Sequence, residues 1–383
     1  MHVPAPWKRW MITVLAVGAG LTLPACGLSS AGHPPRSDTS SASGRRAVHL
    51  TPPGPIASVD MVTVSTGWAV TISNTILRTS NGGTTWTEAT PPIPISTFTH
   101  VSLAALGPTD AWVTGITQAG VTIYRTTTGG QHWTVVRLPA AWTHSVVASR
   151  TQFLTANLGF GALFQYGVGG SNGVLVLRSQ DGGRHWAVAA DGFPGARGPG
   201  IPLGGNKTGF AAVTPDTLWL SGSWLIHSFV LGVSYDGGTI WTQETVPVPA
   251  NVAYVGSDVE GRPPHFWNAQ DGTLPVVQLV APRETLFYHT TDSGHIWSAT
   301  RPVPGTVYAL ITPNRIIVAD GRRLYGTHDG GASWSLITHE TPLAGVTELQ
   351  FVNSEDGWGV GSGTIWRTKT GGRTWQTVPL VVK

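Results

Sequence analysis

The sequence predicts an all-β protein, a seven-bladed β-propeller of four-stranded antiparallel blades. Three observations carry this expectation. A short element closing on Trp recurs seven times along the 383 residues. Its copies stand on average ~48 residues apart, inside the range of propeller blades. The chain also holds 49 Gly, 28 Pro and 17 Trp, which supply frequent tight turns and large rings to bury. Charged residues make up only 11%, against roughly 25% in ordinary soluble domains, as suits many short, well-covered strands.

The recurring element reads ILRTSNGGTTW, IYRTTTGGQHW, VLRSQDGGRHW, GVSYDGGTIW, FYHTTDSGHIW, LYGTHDGGASW and IWRTKTGGRTW. It closes on Trp86, Trp133, Trp186, Trp241, Trp297, Trp334 and Trp375. Asp181, Asp236, Asp292 and Asp329, with Asn81, are placed to bond the backbone of their own turn, and Thr128 and Thr370 do so more weakly. The following Gly residues supply the positive φ of a tight hairpin. Each closing Trp is expected between blades, where burying about 200 Å² gains roughly 5 kcal/mol before ordering costs. These recurrent residues are read as structural.

A second element precedes the first and fixes the rest of the blade. MVTVSTGW, FLTANLGF, FWNAQDGT and FVNSEDGW set an apolar residue seven places before an aromatic or its substitute, and Trp112 and Trp219 hold the same place in the second and fourth repeats. Each repeat therefore reads as strand, turn, strand, loop, strand, Gly-Gly turn and a strand opened by Trp. Residues 47 to 51, AVHLT, faintly resemble the outer strand TVVRL at 134 to 138 and could pair with an end blade, but Trp375 to Val382 already fills the seventh.

The pattern Ser/Thr-x-Asp-x-Gly-x-x-Trp resembles the Asp-box, or bacterial neuraminidase repeat, of sialidases, sortilin-type receptors and some xyloglucan hydrolases. Pairing of Gly67-Trp68-Ala69-Val70 and Gly357-Trp358-Gly359-Val360 with the L-R-T-x-x-G-G-x-x-W turns looks most like the photosystem II assembly factor family. That resemblance covers about residues 57 to 381. It implies a seven-bladed ring and an Arg-rich surface engaging partner proteins, for which Arg78, Arg125, Arg178 and Arg367 are the repeated arginines here. From their regular placement alone, the same four read as part of the repeat, each stem covering an aromatic while the guanidinium caps a carbonyl.

Residues 1 to 26 read as a targeting segment. Lys8 and Arg9 precede an apolar stretch from Trp10 to Leu23, and Leu23-Pro24-Ala25-Cys26 follows. This resembles a bacterial lipoprotein signal and implies lipidation of Cys26 and a location on the outer face of the cytoplasmic membrane. Cys26 is also the only cysteine, which excludes a disulfide within the chain. Residues 27 to 56 are rich in Ser, Gly and Pro and read as a flexible tether, leaving 57 to 383 for the propeller.

The loops at 138 to 150, 164 to 173, 190 to 206 and 247 to 264 depart from the repeat and are expected on the face opposite the Gly-Gly turns. They carry the candidate binding residues Trp142, His144, Phe193, Arg197, Tyr254, Asp258, Glu260 and Arg262. Aromatics beside Arg suit a peptide segment or a sugar face. For Trp142 the plainer alternative is a ring plugging the gap beneath its own loop. For Asp258 and Glu260 it is solvent exposure.

A net charge of +3 with no recurring cationic face argues against nucleic acid. The 13 His are scattered without ligand spacing, so no metal and no cofactor is expected. The Arg-Ile-Pro sequence that sialidases carry is missing, since Gly200 stands before Ile201-Pro202. Xyloglucan hydrolases build their cleft from two propellers and this chain holds one, while Asp60 and Asp110 fit strand and turn positions. The sequence thus favours a non-catalytic scaffold binding another membrane or envelope protein, with glycan binding or sialidase-like glycoside hydrolysis as the alternative.

Overall fold

The computed structural model describes residues 38–40, 54–92, 97–167, 170–194, 200–201, 204–224, 228–249, 252 and 259–383. The targeting segment with Cys26 lies outside them, as do residues 47 to 51. One piece of the expected tether is described: β1 (Asp38–Ser40) forms a strand rather than open chain.

Strands β2 (Ile56–Met61), β3 (Gly67–Thr71), β4 (Ile76–Thr79) and β5 (Thr87–Glu88) make the first antiparallel blade. The second is β6 (His100–Ala105), β7 (Ala111–Thr117), β8 (Gly120–Thr126) and β9 (Thr134–Arg137), and β1 adds to the outer edge of β9. A single turn of helix, α1 (Ala140–Thr143), leads to the third blade, β10 (Val146–Phe153), β11 (Gly159–Gln165), β12 (Val174–Ser179) and β13 (Ala187–Asp191). The fourth is β14 (Asn206–Ala212), β15 (Leu218–Ser223), β16 (Phe229–Ser234) and β17 (Thr242–Gln243).

In the fifth blade the inner strand is split into β18 (Val259–Gly261) and β19 (His265–Phe266), both paired with β20 (Gly272–Gln278). β21 (Glu284–Thr290) pairs with both β22 (Ser298–Ala299) and β23 (Val303–Pro304). A bridge between Ser223 and Glu260 joins blades four and five into one sheet. Then follow β24 (Val307–Thr312), β25 (Arg315–Ala319), β26 (Leu324–Thr327) and β27 (Ser335–Thr338). The seventh blade is β28 (Glu348–Phe351), β29 (Gly357–Gly361), β30 (Thr364–Thr368) and β31 (Gln376–Val378).

The Gly-Gly turns form as their residue types require. In the sixth blade Thr327 Oγ1 donates to Asp329 Oδ1 at 2.6 Å, and the same hydroxyl accepts Gly331 N–H at 2.8 Å. Asp329 Oδ1 also accepts Ser333 N–H at 2.9 Å, which fixes the far side of the turn. The Ser333 and Thr327 hydroxyls together hold the Asp329 carboxyl well below the usual carboxylate range. Gly330 and Gly331 sit at φ +71° and +92°, where a side chain is strained. Gly330 N–H then donates to Asn314 O, tying the turn to the first hairpin of its own blade. Equivalent bonds, such as Gly182 N–H to Asn157 O and Gly371 N–H to Glu355 O, put these two sets of hairpins on one rim. The second-to-third strand loops and the connections between blades form the other rim.

The core is a ring of clusters, each shared by two neighbouring blades. Trp86, Trp133, Trp186, Trp241 and Trp297 are buried in these clusters, and Trp334 and Trp375 are half-buried against theirs. Second-strand rings meet them from the adjoining sheet: Trp112 stacks on Phe153 of the next blade with centroids 3.6 Å apart, and Phe153 meets Trp186 edge-on. Trp112 Nε1 donates to Gly182 O at 2.9 Å, and Trp358 Nε1 to Gly82 O at 3.1 Å. Arg125 and Arg367 lie over Trp112 and Trp358 while donating to Ala156 O and Val64 O of the next blade. Arg78 covers Trp68 and donates to Pro108 O. These three arginines therefore act as clasps between blades, and Arg178 lies over Phe160. In the fifth blade His289 takes the place and bonds Gly330 O.

Ring closure joins the seventh blade to the first. Besides the Trp358 and Arg367 bonds, Gln350 Oε1 accepts Met61 N–H at 2.6 Å. On the outer side Trp86 N–H donates to Val381 O at 2.8 Å, and Lys383 N–H to Trp86 O at 2.9 Å. Residues 381 to 383 thus run beside the first blade.

Replacing Trp112 by Ala is expected to cost about 3–5 kcal/mol, because a ring 1% exposed leaves a void between two sheets. Arg125→Ala is expected to cost about 1 kcal/mol, one charged hydrogen bond and one cation–π contact at a half-exposed position. Urea denaturation of both variants checks the order; equal midpoints would contradict the wedge.

Candidate functional site

The innermost strands of the blades line the central channel, and on the side of blades three to seven the channel widens into a cavity of about 590 Å³. Its wall carries Arg150 from β10, Lys207 and Thr208 from β14, and Glu260, Arg262 and His265 from the split inner strand region of blade five. Tyr308 and Leu310 of β24 and Glu348, Gln350 and Phe351 of β28 complete it. Tyr166 and Asn172, from the second-to-third strand loop of blade three, place the mouth on the rim opposite the Gly-Gly turns. Tyr166 is 75% exposed, and Val147 and Trp224 are further exposed apolar groups on that rim.

A bulge shapes the wall. In β14 Lys207 pairs with Gly222 and Gly209 with Ser221, so Thr208 is the extra residue, and such bulges re-aim side chains. A Cβ on Gly222 would lie 1.9 Å from the Asn206 carbonyl oxygen, so glycine permits this close approach. Thr208 Oγ1 donates to Glu260 Oε1 at 2.6 Å, and Arg262 Nη2 lies 3.1 Å from Glu260 Oε2. Both oxygens of Glu260 are thereby engaged. Asn172 holds the Lys207 backbone from both sides, accepting its N–H at 2.7 Å and donating to its carbonyl at 2.9 Å.

Burial tunes the charges. Lys207, 3% exposed, donates from Nζ to Gly205 O at 3.0 Å, and its ammonium is pushed down to about 8 by desolvation. Arg150 is lowered to about 10, by burial first and by the nearby positive charge of Arg262 second. His100, buried beside Arg150, is lowered to about 4 for the same two reasons in the same order. Glu348 is raised to about 8, chiefly by burial and further by Asp60, against the opposing hydrogen bonds of Ser58 and the Val59 N–H. Asp60 Oδ2 accepts Ala105 N–H at 3.0 Å and Glu348 Oε1 accepts Val59 N–H at 3.3 Å, so each acid also staples one blade to the next.

Of the candidates read from the sequence, the structure brings Glu260 and Arg262 together in the cavity wall. Glu260 is not solvent-exposed there: its side chain is 14% accessible, because the inner strand of blade five faces a narrow channel. Trp142 and Phe193 are not on the surface either. Both rings are buried in the cluster between blades two and three, where α1 folds over the sheet edge. His144 is exposed with its edge against Phe193, centroids 5.4 Å apart, away from the cavity wall. Arg197, Tyr254 and Asp258 lie outside the described residues. Sequence reasoning missed Arg150, Lys207, Tyr308 and Glu348; the available signal was a charged residue inside an otherwise apolar inner strand, as in NKTGFAA and ELQF. Among the described residues no group of three His, Cys, Asp or Glu is placed to hold a metal ion.

No protein-family model matches the sequence, and no curated protein matches it significantly, whereas many solved structures do. A structure of YCF48 bound to D1 peptide aligns with a TM-score of 0.58 at 18% identity, covering 85% of this chain and 96% of that one. YCF48 from Cyanidioschyzon merolae aligns with a TM-score of 0.54 at 16% identity, covering 84% and 97%. An ancestral GH74 enzyme gives 0.53 at 15% identity, over 88% of this chain but 48% of its own. At these identities the likeness is one of fold: the chain is a β-propeller of the same architecture.

Glu348 yields a prediction with a definite sign. Its folded-state pKa is raised, so the fold favours the protonated acid and loses stability as pH climbs from the ordinary carboxylate range to about 8. Glu348→Gln keeps an acceptor for Val59 N–H and removes that loss. Melting temperatures of the two proteins should nearly coincide at pH 5 and differ by about 5 °C or more in favour of Gln at pH 9; a difference independent of pH would contradict the assignment.

Proposed function

We propose that this protein is a non-catalytic exported propeller, anchored through a lipid on Cys26 to the outer face of the cytoplasmic membrane, whose loop rim grips a segment of another envelope protein. The observation that carries this reading is the cavity mouth. Tyr166, Val147 and Trp224 stand exposed on the rim where the channel opens, beside Arg150, Lys207 and Arg262 in its wall. Exposed aromatics next to cationic groups suit the anchoring of a polypeptide segment. The YCF48 structure that shares this fold is one with D1 peptide bound. Hydrolysis is less well supported, because Glu260 is engaged at both oxygens and Glu348 is buried behind a backbone bond.

A photo-crosslinking residue at Tyr166 is expected to capture one envelope polypeptide in living cells, and the same residue at Ile296, 69% exposed on the opposite rim, is expected not to. Equal capture from both rims, or turnover of sialyl or β-glucan substrates abolished by a single carboxylate change, would overturn the reading. Cys26→Ser is expected to end incorporation of labelled palmitate and to release the chain from membranes; palmitate labelling that persists would rule out this anchor.

A further inference from the structure

Below the mouth the cavity carries apolar and acidic walls that gripping a segment at the rim does not use. Its volume of about 590 Å³ suits a small organic molecule, since such sites run roughly 300–1,000 Å³. Phe164, Leu310 and Phe351 give it apolar walls. Arg150, Lys207 and Arg262 all line it, with Arg262 3.1 Å from Glu260, so its cations outnumber its ionised carboxylates. Glu348 faces it from the opposite blade, 3% exposed.

We infer that this cavity is a binding site for a small organic anion, a carboxylate carried on an apolar body. The carboxylate meets the guanidinium and ammonium donors of Arg150, Arg262 and Lys207, where charge-assisted hydrogen bonds are strongest. The apolar body lies against Phe164 and Leu310, and the protonated Glu348 Oε2 donates to a ligand oxygen. The site shares Arg150, Lys207 and Arg262 with the mouth but needs no partner at the rim.

Its occupancy follows pH in one direction. Below about 8 Lys207 is charged and Glu348 neutral; above it Lys207 loses its proton and Glu348 loses one too. Both changes make the wall less positive. Of the groups facing them, His100 is uncharged from well below neutrality, Asp60 lies against Glu348, Arg150, lowered only to about 10, stays charged, and Arg262 is paired with Glu260 at 3.1 Å.

Calorimetric titration of the full exported chain with 4-phenylbutyrate, and with the matched amide and amine, tests this. The carboxylate is expected to bind at pH 6.5 at least about tenfold more tightly than either analogue, one pKa unit's worth of interaction. Lys207→Met is expected to erase that preference, and wild-type affinity for the carboxylate is expected to fall between pH 7 and pH 9. Should the Met variant not fold, the wild-type pH profile decides. No binding at pH 6.5, equal affinity for acid and amide, or a flat profile overturns the proposal, and none of these outcomes bears on crosslinking at the rim.

Discussion

Two sheets laid side by side around an axis diverge as they move outward, and the gap between them has to be filled by something flat, wide and apolar. Here indole fills it. One ring arrives from the second strand of a blade and another from the turn that closes a neighbour, as Trp112, Phe153 and Trp186 show at a single seam. The turn must then let a ring approach its backbone. A Cβ on Gly183 would stand 3.2 Å from Trp112 Nε1, so the glycine that the hairpin needs for its φ also makes room for the adjoining blade. The hairpin and the seam therefore constrain the same residue, which explains why turn and ring recur together.

Polar groups finish what the rings begin. On the Gly-Gly rim Arg78, Arg125 and Arg367 flatten over Trp68, Trp112 and Trp358 and reach a carbonyl across the seam. Toward the axis the inner strands exchange side-chain staples instead: Gln152 embraces both backbone groups of Ala212, Gln350 those of Met61, and Ser102 meets Ser149 at 2.9 Å. Apolar filling sets the spacing of the blades and directional bonds set their register. Where staples give way to unlike residues, between blades three and seven, the channel opens into the cavity.

This division explains what the sequence made legible. Trp86 and its six counterparts, the Asp, Asn or Thr of each turn, and the arginines could be recognised because they repeat, and repetition is visible in one dimension. The site is the part that does not repeat. Lys207 and Glu348 look like stray polar residues in ordinary strands until seven strands are drawn around an axis, when residues more than 140 positions apart share a wall. Trp142 and Phe193 drew attention for the opposite reason. They break the pattern, yet they do so to fill a local gap beneath a helical turn. Irregularity in a loop marks packing as often as binding, and the inner strand is the better place to look for charge.

The strand at Asp38–Ser40 ties the leading segment to one point of the ring. Laid along the edge of β9, it fixes a point of the leading segment to the second blade. Twelve residues separate position 26 from position 38, a span of at most about 40 Å, where thirty residues to the first blade would allow about 100 Å. The strand therefore joins the ring off its axis, at the outer edge of the second blade. Blades five and six lie across the ring from that fastening, next to the fused sheet of blades four and five.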